Sequence, residues 1–336
     1  MIFLGMDHGT SAIRFAVLSD GSDELVRFFE IPRQAAGSLS PEALQKLIED
    51  NLGMPLSDID LACLTYSMGD GISQIEDIRF VQNRGVSTTS GVGQITNAGT
   101  KVFDIFAKNI CPAVLLPGLH QNNPVTDSRM QHFSHQASPE KISTAFHAFS
   151  LGYNRLILSD IGSNTVTLAV SDGKILGALD APIFAPGRSH GPFDVNAIRD
   201  IDAGKITANE AFSNAGVGDD KMKLAFFAAM EISALDVLMK EYGDSSGCSS
   251  CCDSDSNSDD YTILVAGSGG EDKEVRREIS RLLQKPVESL GKWSAALGCA
   301  EIAKSIVRKE ADSVFGIPVH FNLEEWMILR GYGLEQ

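Results

Sequence analysis

Phe3-Leu4-Gly5-Met6-Asp7-His8-Gly9-Thr10-Ser11-Ala12-Ile13-Arg14-Phe15-Ala16-Val17 is the stretch on which the fold turns. Two apolar runs flank a tight polar corner, the pattern of a β-hairpin whose turn comes very close to a ligand. Gly9 sets no Cβ in front of a bulky anion. The amides of Gly9 to Ser11 and the hydroxyls of Thr10 and Ser11 can all donate to its oxygens, so the corner suits phosphate. Asp7 cannot donate to a phosphate. A carboxylate there suits a divalent cation, held directly or through water, of the kind that neutralises a transferring phosphoryl group. An ordinary hairpin uses the same residue types, and this segment alone leaves both readings open.

The chain then repeats the pattern. In Ile157-Leu158-Ser159-Asp160-Ile161-Gly162-Ser163-Asn164-Thr165-Val166-Thr167-Leu168-Ala169-Val170, apolar residues again lead into Asp-x-Gly-Ser/Thr and a strand ending in Ala-Val. Even the exits match, Ser19-Asp20-Gly21 and Ser171-Asp172-Gly173. Asp160 is the second cation-arranging carboxylate, and Gly162, Ser163 and Asn164 the second set of phosphate contacts. A repeat near mid-chain predicts two related lobes, 1–150 with the first motif and 151–336 with the second.

Composition narrows the partners. The 336 residues suffice for two domains, and 43% hydrophobic with 21% charged residues describes a soluble globular protein. No apolar run is long enough to cross a bilayer, and the apolar start lacks a basic flank, so a cytoplasmic location is expected. A net charge of −16 argues against nucleic acid or an anionic membrane as a general partner, both being repelled at long range. It leaves room for a nucleotide in a locally built site.

Along the chain, Ser40-Pro41-Glu42 opens a helix, and Asp60 to Ser67 reads as a buried strand leaving through Met68-Gly69-Asp70-Gly71, as strands do at the edge of a cleft. The Gly/Ser/Thr-rich segment from Asn83 to Thr100 is a substrate loop or a surface connection. Arg84 within it can bind a carboxylate or phosphate through two parallel hydrogen bonds, or simply face solvent. A helix over Lys101 to Asn109 and a strand over Ala113 to Leu116 follow. Four of the seven histidines, His120, His132, His135 and His147, come next. Their spacings are not those of zinc ligands, and a His or Asp reaching into a phosphoryl-transfer cleft is the functional reading. Ser138-Pro139-Glu140 caps a helix leading to the second turn. In the second lobe, Lys205 to Phe212 and Lys221 to Glu241 read as helices.

Residues 243–260 are rich in Ser and Asp and lack apolar residues to bury, which predicts a flexible surface loop. Its Cys248, Cys251 and Cys252 allow a sharper alternative, zinc or an iron–sulfur cluster shared across a homodimer, although one cluster supplies too few ligands for a closed site in one chain. Beyond it a strand, Tyr261 to Ala266, enters Gly267-Ser268-Gly269-Gly270 and then a helix over Glu271 to Gln284. A nucleotide can lie on such a turn without side-chain obstruction. The glycines match neither the dinucleotide fingerprint nor a phosphate loop with Lys-Ser/Thr. Lys292 to Arg308 is a helix of small residues, as at a hinge between lobes.

Taken in order, Asp7-x-Gly-Thr10, Asp160-x-Gly-Ser163, the Gly267-to-Gly270 turn and the Ala295-to-Ala300 helix resemble the two phosphate motifs, adenosine motif and second connecting helix of the superfamily of acetate and sugar kinases, heat-shock chaperone ATPases and actin. The resemblance implies an α/β, two-lobed actin-like ATPase fold, each lobe a ribonuclease-H-like mixed sheet flanked by helices, with the final residues free to pack back on the first lobe. It further implies ATP and Mg2+ in the cleft, the metal arranged by Asp7 and Asp160, and closure that brings reacting groups together. A narrower resemblance, Pro112-Ala113, Pro124-Val125-x-Asp127 and Ser138 to Ala148, is to butyrate and acetate kinases. By it Asp127 would sit near the transferring phosphoryl group and Arg84 on a substrate carboxylate. As a whole, the start from Gly5 to Phe15 with this length and motif order is similar to the archaeal methanogenesis marker protein 12 family. Two functions are therefore expected. One is a nucleotide-dependent switch or ATPase linked to methanogenesis or enzyme maturation and read by a partner protein. The other is a kinase that turns a small carboxylate into an acyl phosphate.

Overall fold

The computed structural model describes residues 1–20, 26–83, 98–108, 110–123, 125–243, 261–309 and 312–329. Arg84, Cys248, Cys251 and Cys252 lie outside the described residues, as does most of the 243–260 segment. β1 (Ile2–His8) and β2 (Ala12–Ser19) form the first hairpin, with Asp7 opposite Arg14, and β3 (Val26–Pro32) extends it. α1 (Arg33–Ser38) and α2 (Pro41–Leu52) follow. The Ser40 hydroxyl caps α2 by accepting from the Ala43 amide at 3.2 Å, and Gly53, at φ 68°, ends it in the left-handed region where glycine carries no Cβ penalty. β4 (Leu61–Thr65) pairs parallel to β1; β5 (Ile75–Asp77), α3 (Ala98–Phe106) and β6 (Ala113–Leu116) complete this part of the sheet. A two-stranded ribbon, β7 (Leu119–His120) with β8 (His135–Ala137), leads to α4 (Pro139–Ser150).

The second sheet begins the same way. β9 (Arg155–Ile161), β10 (Thr165–Ser171) and β11 (Lys174–Leu179) form an antiparallel meander, followed by α5 (Val195–Asp202), α6 (Ala208–Ser213) and α7 (Lys221–Gly243). β12 (Thr262–Ala266) pairs parallel to β9; α8 (Gly267–Gly270) and α9 (Lys273–Leu283) carry the chain to β13 (Val287–Ser289), parallel to β12. α10 (Ser294–Val307) then crosses back, and β14 (Ser313–Val314), β15 (Ile317–His320) and α11 (Leu323–Leu329) join the first sheet through pairing of β15 with β5. There the Trp326 indole donates to the buried Asp77 carboxylate at 2.7 Å.

The strand orders β3-β2-β1-β4-β6 and β11-β10-β9-β12-β13 are the same topology twice: a meander, then two strands added parallel to its first. This is the ribonuclease-H-like order, and its duplication is the two-lobed actin-like ATPase fold. Strands buried on both faces need apolar residues at every position, which is why β4, Leu-Ala-Cys-Leu-Thr, shows no alternation. Between the sheets lie α4 and α10, in a core that draws Phe3 and Cys63 from one sheet, Leu158 and Val166 from the other, and Ala300 and Ala303 from α10. The outer faces are covered by α2 and α3 on the first sheet and α7 and α9 on the second.

Small residues set the spacing of the central layer. A Cβ on Gly5 of β1 would come 1.9 Å from the Ala296 carbonyl oxygen of α10, and one on Gly298 of α10 would come 1.8 Å from the Ser143 carbonyl oxygen of α4. Backbone therefore meets backbone along the path joining the two sheets. The expected helix of Lys101 to Asn109 begins earlier, at Ala98, and that of Lys205 to Phe212 begins at Ala208, where Thr207 and Glu210 form a reciprocal cap. Helix α5 was not anticipated, because its exposed apolar side chains mask the usual core-facing pattern. Among the described residues, no helix is long and apolar enough to cross a membrane.

Candidate functional site

The two Asp-x-Gly hairpins converge on the first turn of α4. Asp7 ends β1 at its last buried position. One carboxylate oxygen, Oδ2, accepts from Arg14 Nη1 at 3.2 Å across the hairpin, while Oδ1 is buried with no hydrogen-bond partner among the described residues. Burial and the neighbouring Glu140 charge raise the Asp7 carboxyl from 3.8 to about 6, against the opposing pull of Arg14 and Lys141. A Cβ on Gly9 would lie 2.8 Å from the Ala12 carbonyl oxygen across the turn, a backbone contact that cannot move aside as a side chain could. Thr10 and Ser11 are exposed at the tip. Arg33, in the first turn of α1, donates to the Gly9 carbonyl at 3.2 Å and steadies the turn from behind. His8, held by Nδ1 donation to the Thr65 carbonyl at 3.1 Å, is lowered to about 4 by burial and by Arg33, so it is neutral at ordinary pH.

The second hairpin meets the same helix through a direct ion pair. Lys141 Nζ lies 2.9 Å from Asp160 Oδ2 and 3.3 Å from Glu140 Oε1. Burial opposes the Lys141 charge, but Asp160 and Glu140 outweigh it and hold the amine protonated well above the usual lysine range. Glu140 is likewise opposed by burial, yet Lys141 and the Ser138 hydroxyl keep it below the ordinary glutamate value. The Ser138 hydroxyl does not cap α4, a correction to the capping read from Ser138-Pro139-Glu140. It donates instead to Glu140 Oε1 at 2.6 Å. Pro139 suffices to start the helix, having no amide hydrogen to satisfy.

The glycine turn closes on the same carboxylate. Gly267, at φ 74°, would place a Cβ 2.4 Å from Asp160 Oδ1, and one on Gly269 would fall 2.6 Å from the Ile161 side chain. The turn thus rests directly on the Asp160 hairpin, in the left-handed conformation that glycine alone takes freely. Ser163 and Asn164 are drawn toward the Ala185-to-Pro192 loop: the Ser163 carbonyl accepts from the Ser189 and His190 amides, and the Asn164 side chain accepts from His190 Nδ1. Further along, His135 spans the sheets, with Nδ1 2.7 Å from Asp70 and Nε2 3.3 Å from Asp180. Burial lowers its basicity, but the two carboxylates prevail and raise it to about 10.

Asp7, Asp160, Gly9, Gly162 and Gly267 to Gly270 therefore share one neighbourhood, and the structure adds Glu140, Lys141, Arg14 and Arg33 to it. Asp127 is placed elsewhere. It sits against β11 and the end of α7, where Arg129 and the Tyr242 hydroxyl both donate to it, at 2.8 and 2.9 Å, and hold its carboxyl well below the usual range. Glu140 and Lys141 were missed because Glu-Lys in a first helical turn is ordinary helix chemistry. Their meaning comes only from what the two hairpins bring beside them.

Among the described residues no group of three or more carboxylate, histidine or cysteine side chains is arranged to hold a metal ion by itself, so a divalent cation here would be held by Asp7, whose Oδ1 is a hard oxygen buried without a donor, together with oxygens of the ligand and of water. No protein-family profile matches the chain. A UPF0285 protein of Methanosarcina acetivorans is 43% identical over 329 residues, covering 91% of this chain and 95% of the relative. The chain belongs to the UPF0285 family. A further member, from Methanocaldococcus jannaschii, is 39% identical over 342 residues, covering 96% of this chain and all of its own length. Among solved structures, the chain is similar to the ethanolamine utilization protein EutJ of Carboxydothermus hydrogenoformans (17% identity, 89% of each chain, TM-score 0.41). It is also similar to Porphyromonas gingivalis acetate kinase (12% identity, 90% of this chain and 99% of that one, TM-score 0.47).

Proposed function

We propose that this UPF0285 protein is an ATP-binding switch that hydrolyses nucleotide slowly between its two sheets and that a partner protein reads its state. One observation carries the reading: Asp7 and Asp160, from equivalent hairpins, face the Glu140–Lys141 turn of α4, and Asp7 Oδ1 is buried without a donor. The amides and hydroxyls of Gly9 to Ser11 would bind phosphate oxygens from one side and Gly162 and Ser163 from the other. Gly267 to Gly270 would bear the nucleoside. Asp7 would hold Mg2+ together with phosphate oxygens and water, with Asp160 arranging it from the second hairpin, and the ion supplies charge neutralisation at the phosphates when bound.

Glu140, kept ionised by Lys141 and Ser138, offers a proton acceptor to an attacking water. Lys141 provides a fixed positive charge between the lobes. Because β1 meets α10, and α10 meets α4, backbone to backbone, a change at the first hairpin would be transmitted to the central helices as a movement of whole layers. Membership of a family found in methane-producing archaea, with the resemblance to methanogenesis marker protein 12, supports a role in methanogenesis or in maturation of one of its enzymes. The carboxylate-kinase alternative loses support at Asp127, which is committed to Arg129 and Tyr242.

Calorimetry of ATP and ADP with and without magnesium tests the binding. Phosphate release with a panel of short acids tests the acceptor. The reading requires magnesium-dependent binding and slow release that acetate and butyrate leave unchanged. Hydroxylamine-trappable acyl phosphate would make the protein a kinase, and absence of nucleotide binding would overturn both readings.

A further inference from the structure

The chain carries −16 overall, yet one surface groove is built from cations. On the face of the second sheet opposite α4 and α10, an open groove of about 530 Å3 runs between α9 and β13, lined by Lys273, Arg276, Arg277, Ser280, Arg281 and Val287. Arg281 is paired with Glu278 at 2.6 Å. Lys273, Arg276 and Arg277 have no side-chain partner among the described residues, whereas the neighbouring Glu274 is taken by Lys221 and Glu288 by Tyr153. Lys273 is also the first residue of α9, where the helix dipole disfavours a cation. Neither local stability nor the charge of the whole chain accounts for this cluster.

Two spacings identify what would fit. Lys273, Arg277 and Arg281 follow one another at four-residue intervals on α9, about 6 Å apart. Side chains on one face of an extended strand recur about 6.7 Å apart. Carboxylates at alternate positions of an extended chain therefore fall in register with Lys273 and Arg277, the Arg277 guanidinium able to donate two parallel bonds and the Lys273 ammonium acting as a point charge, while Arg281 at the end of the row is already held by Glu278 through both Nε and Nη2. The floor supplies the other half of a strand site. β13 is the last strand of its sheet and, among the described residues, pairs with β12 alone, so its outer edge keeps unpaired amides and carbonyls. Val287 gives that edge an apolar contact.

We propose that the α9–β13 groove docks an extended acidic segment of a partner protein, its carboxylates on Lys273, Arg276 and Arg277 and its backbone on the free edge of β13. Addition of a strand to a sheet edge is a common mode of peptide binding, the main chain giving affinity and alternate side chains giving specificity. A nucleic acid is disfavoured here, because a long phosphate backbone would leave the groove and meet the acidic surface around it. The groove lies on α9 and β13, just beyond the Gly267-to-Gly270 turn.

The test uses the full chain and a fluorescent peptide of about eight residues in which Glu alternates with Thr or Val, followed by anisotropy at low salt. The triple variant K273Q/R276Q/R277Q is expected to weaken binding about tenfold or more, and added salt to weaken it for the wild type. A peptide with Gln in place of Glu must bind at least about tenfold more weakly, a control that needs no variant to fold. The backbone amides of Val287 to Ser289 should gain hydrogen-exchange protection when the acidic peptide is bound. Absence of binding, equal binding to the triple variant, no protection along β13, or tighter binding of a single-stranded oligonucleotide of matched charge would each overturn the proposal.

Discussion

Asp7→Asn probes whether this carboxylate is held for a ligand rather than for the fold. The protein raises the Asp7 carboxyl from 3.8 to about 6, so the folded state binds its proton more tightly than the unfolded chain does. Stability contributed by the protonated form is therefore lost as pH rises from about 4 through about 6. Across that window the ionised wild type gives up about 3 kcal/mol. The asparagine keeps an acceptor for Arg14 but sets an amide where Oδ1 has no partner, at a cost of about 1 kcal/mol. The balance is a gain of about 2 kcal/mol at pH 7.5, or about 4 °C in melting temperature for a chain of this size. Near pH 4 the gain vanishes or reverses. Thermal melts of both proteins across pH 4 to 8, without divalent cation, read this difference directly. The same variant should lose the stabilisation that Mg-ADP confers on the wild type, which would reach about 2.7 kcal/mol at a hundredfold excess over the dissociation constant. If Asp7→Asn is more destabilising at pH 7.5 than at pH 4, the carboxylate serves the apo fold and the cation-site argument fails.

Three other outcomes follow from the same packing. Gly298→Ala forces a methyl onto the Ser143 carbonyl, 1.8 Å away, and should destabilise by about 3 kcal/mol or more in urea unfolding, since neither backbone can yield without moving a central helix. His135→Ala should lower the melting temperature most at and below neutral pH. A histidine raised to about 10 stabilises fully below its unfolded value of 6.5 and loses that contribution as pH rises to about 10, so the wild type and variant should converge there. Trp326→Phe leaves the buried Asp77 short of one donor and should cost about 1 to 3 kcal/mol by denaturant titration, with Arg79 limiting the loss through its own bonds to Asp77.

Much of the fold was legible because its main signal is a repeat. Asp-x-Gly-Thr between apolar runs occurs twice with matching exits, and the sheets duly share one strand order. The glycine turn was read as a bed for a nucleotide; what the structure shows of it is that Gly267 and Gly269 press on the Asp160 hairpin. What escaped depends on contacts between distant segments. Lys141 gains its meaning from Asp160 across an ion pair that sequence separation conceals. Asp127 was carried by local resemblance to its neighbours in sequence, whereas its place is decided by Arg129 and by Tyr242, more than a hundred residues away. The return of the C-terminal segment to the first lobe was expected, but its pairing with β5 was not, because the four residues of β15 do not announce a partner strand.

The repeat also hides an asymmetry that bears on function. Sequence gives Asp7 and Asp160 equal standing, but α4, entered from the β7–β8 ribbon, delivers its Glu140–Lys141 turn beside them, and the two carboxylates share its charges unequally. Asp160 receives the lysine at 2.9 Å, while Asp7, raised to about 6 first by burial and then by the glutamate charge, receives no bond from the turn. In the absence of ligand the second hairpin is thus neutralised by the protein itself and the first is left with a buried, unpartnered oxygen. A cation entering the cleft gains most at Asp7, and phosphate oxygens gain most at Lys141. The side chain that then loses its partner is Asp160, the one lying against Gly267. Nucleotide binding and release must therefore be felt first at the contact between the second hairpin and the glycine turn, and the test is hydrogen exchange at Ile161 to Asn164 with and without Mg-ADP. Unchanged exchange there, with exchange altered at Gly9 to Ser11, would show that the first hairpin binds alone.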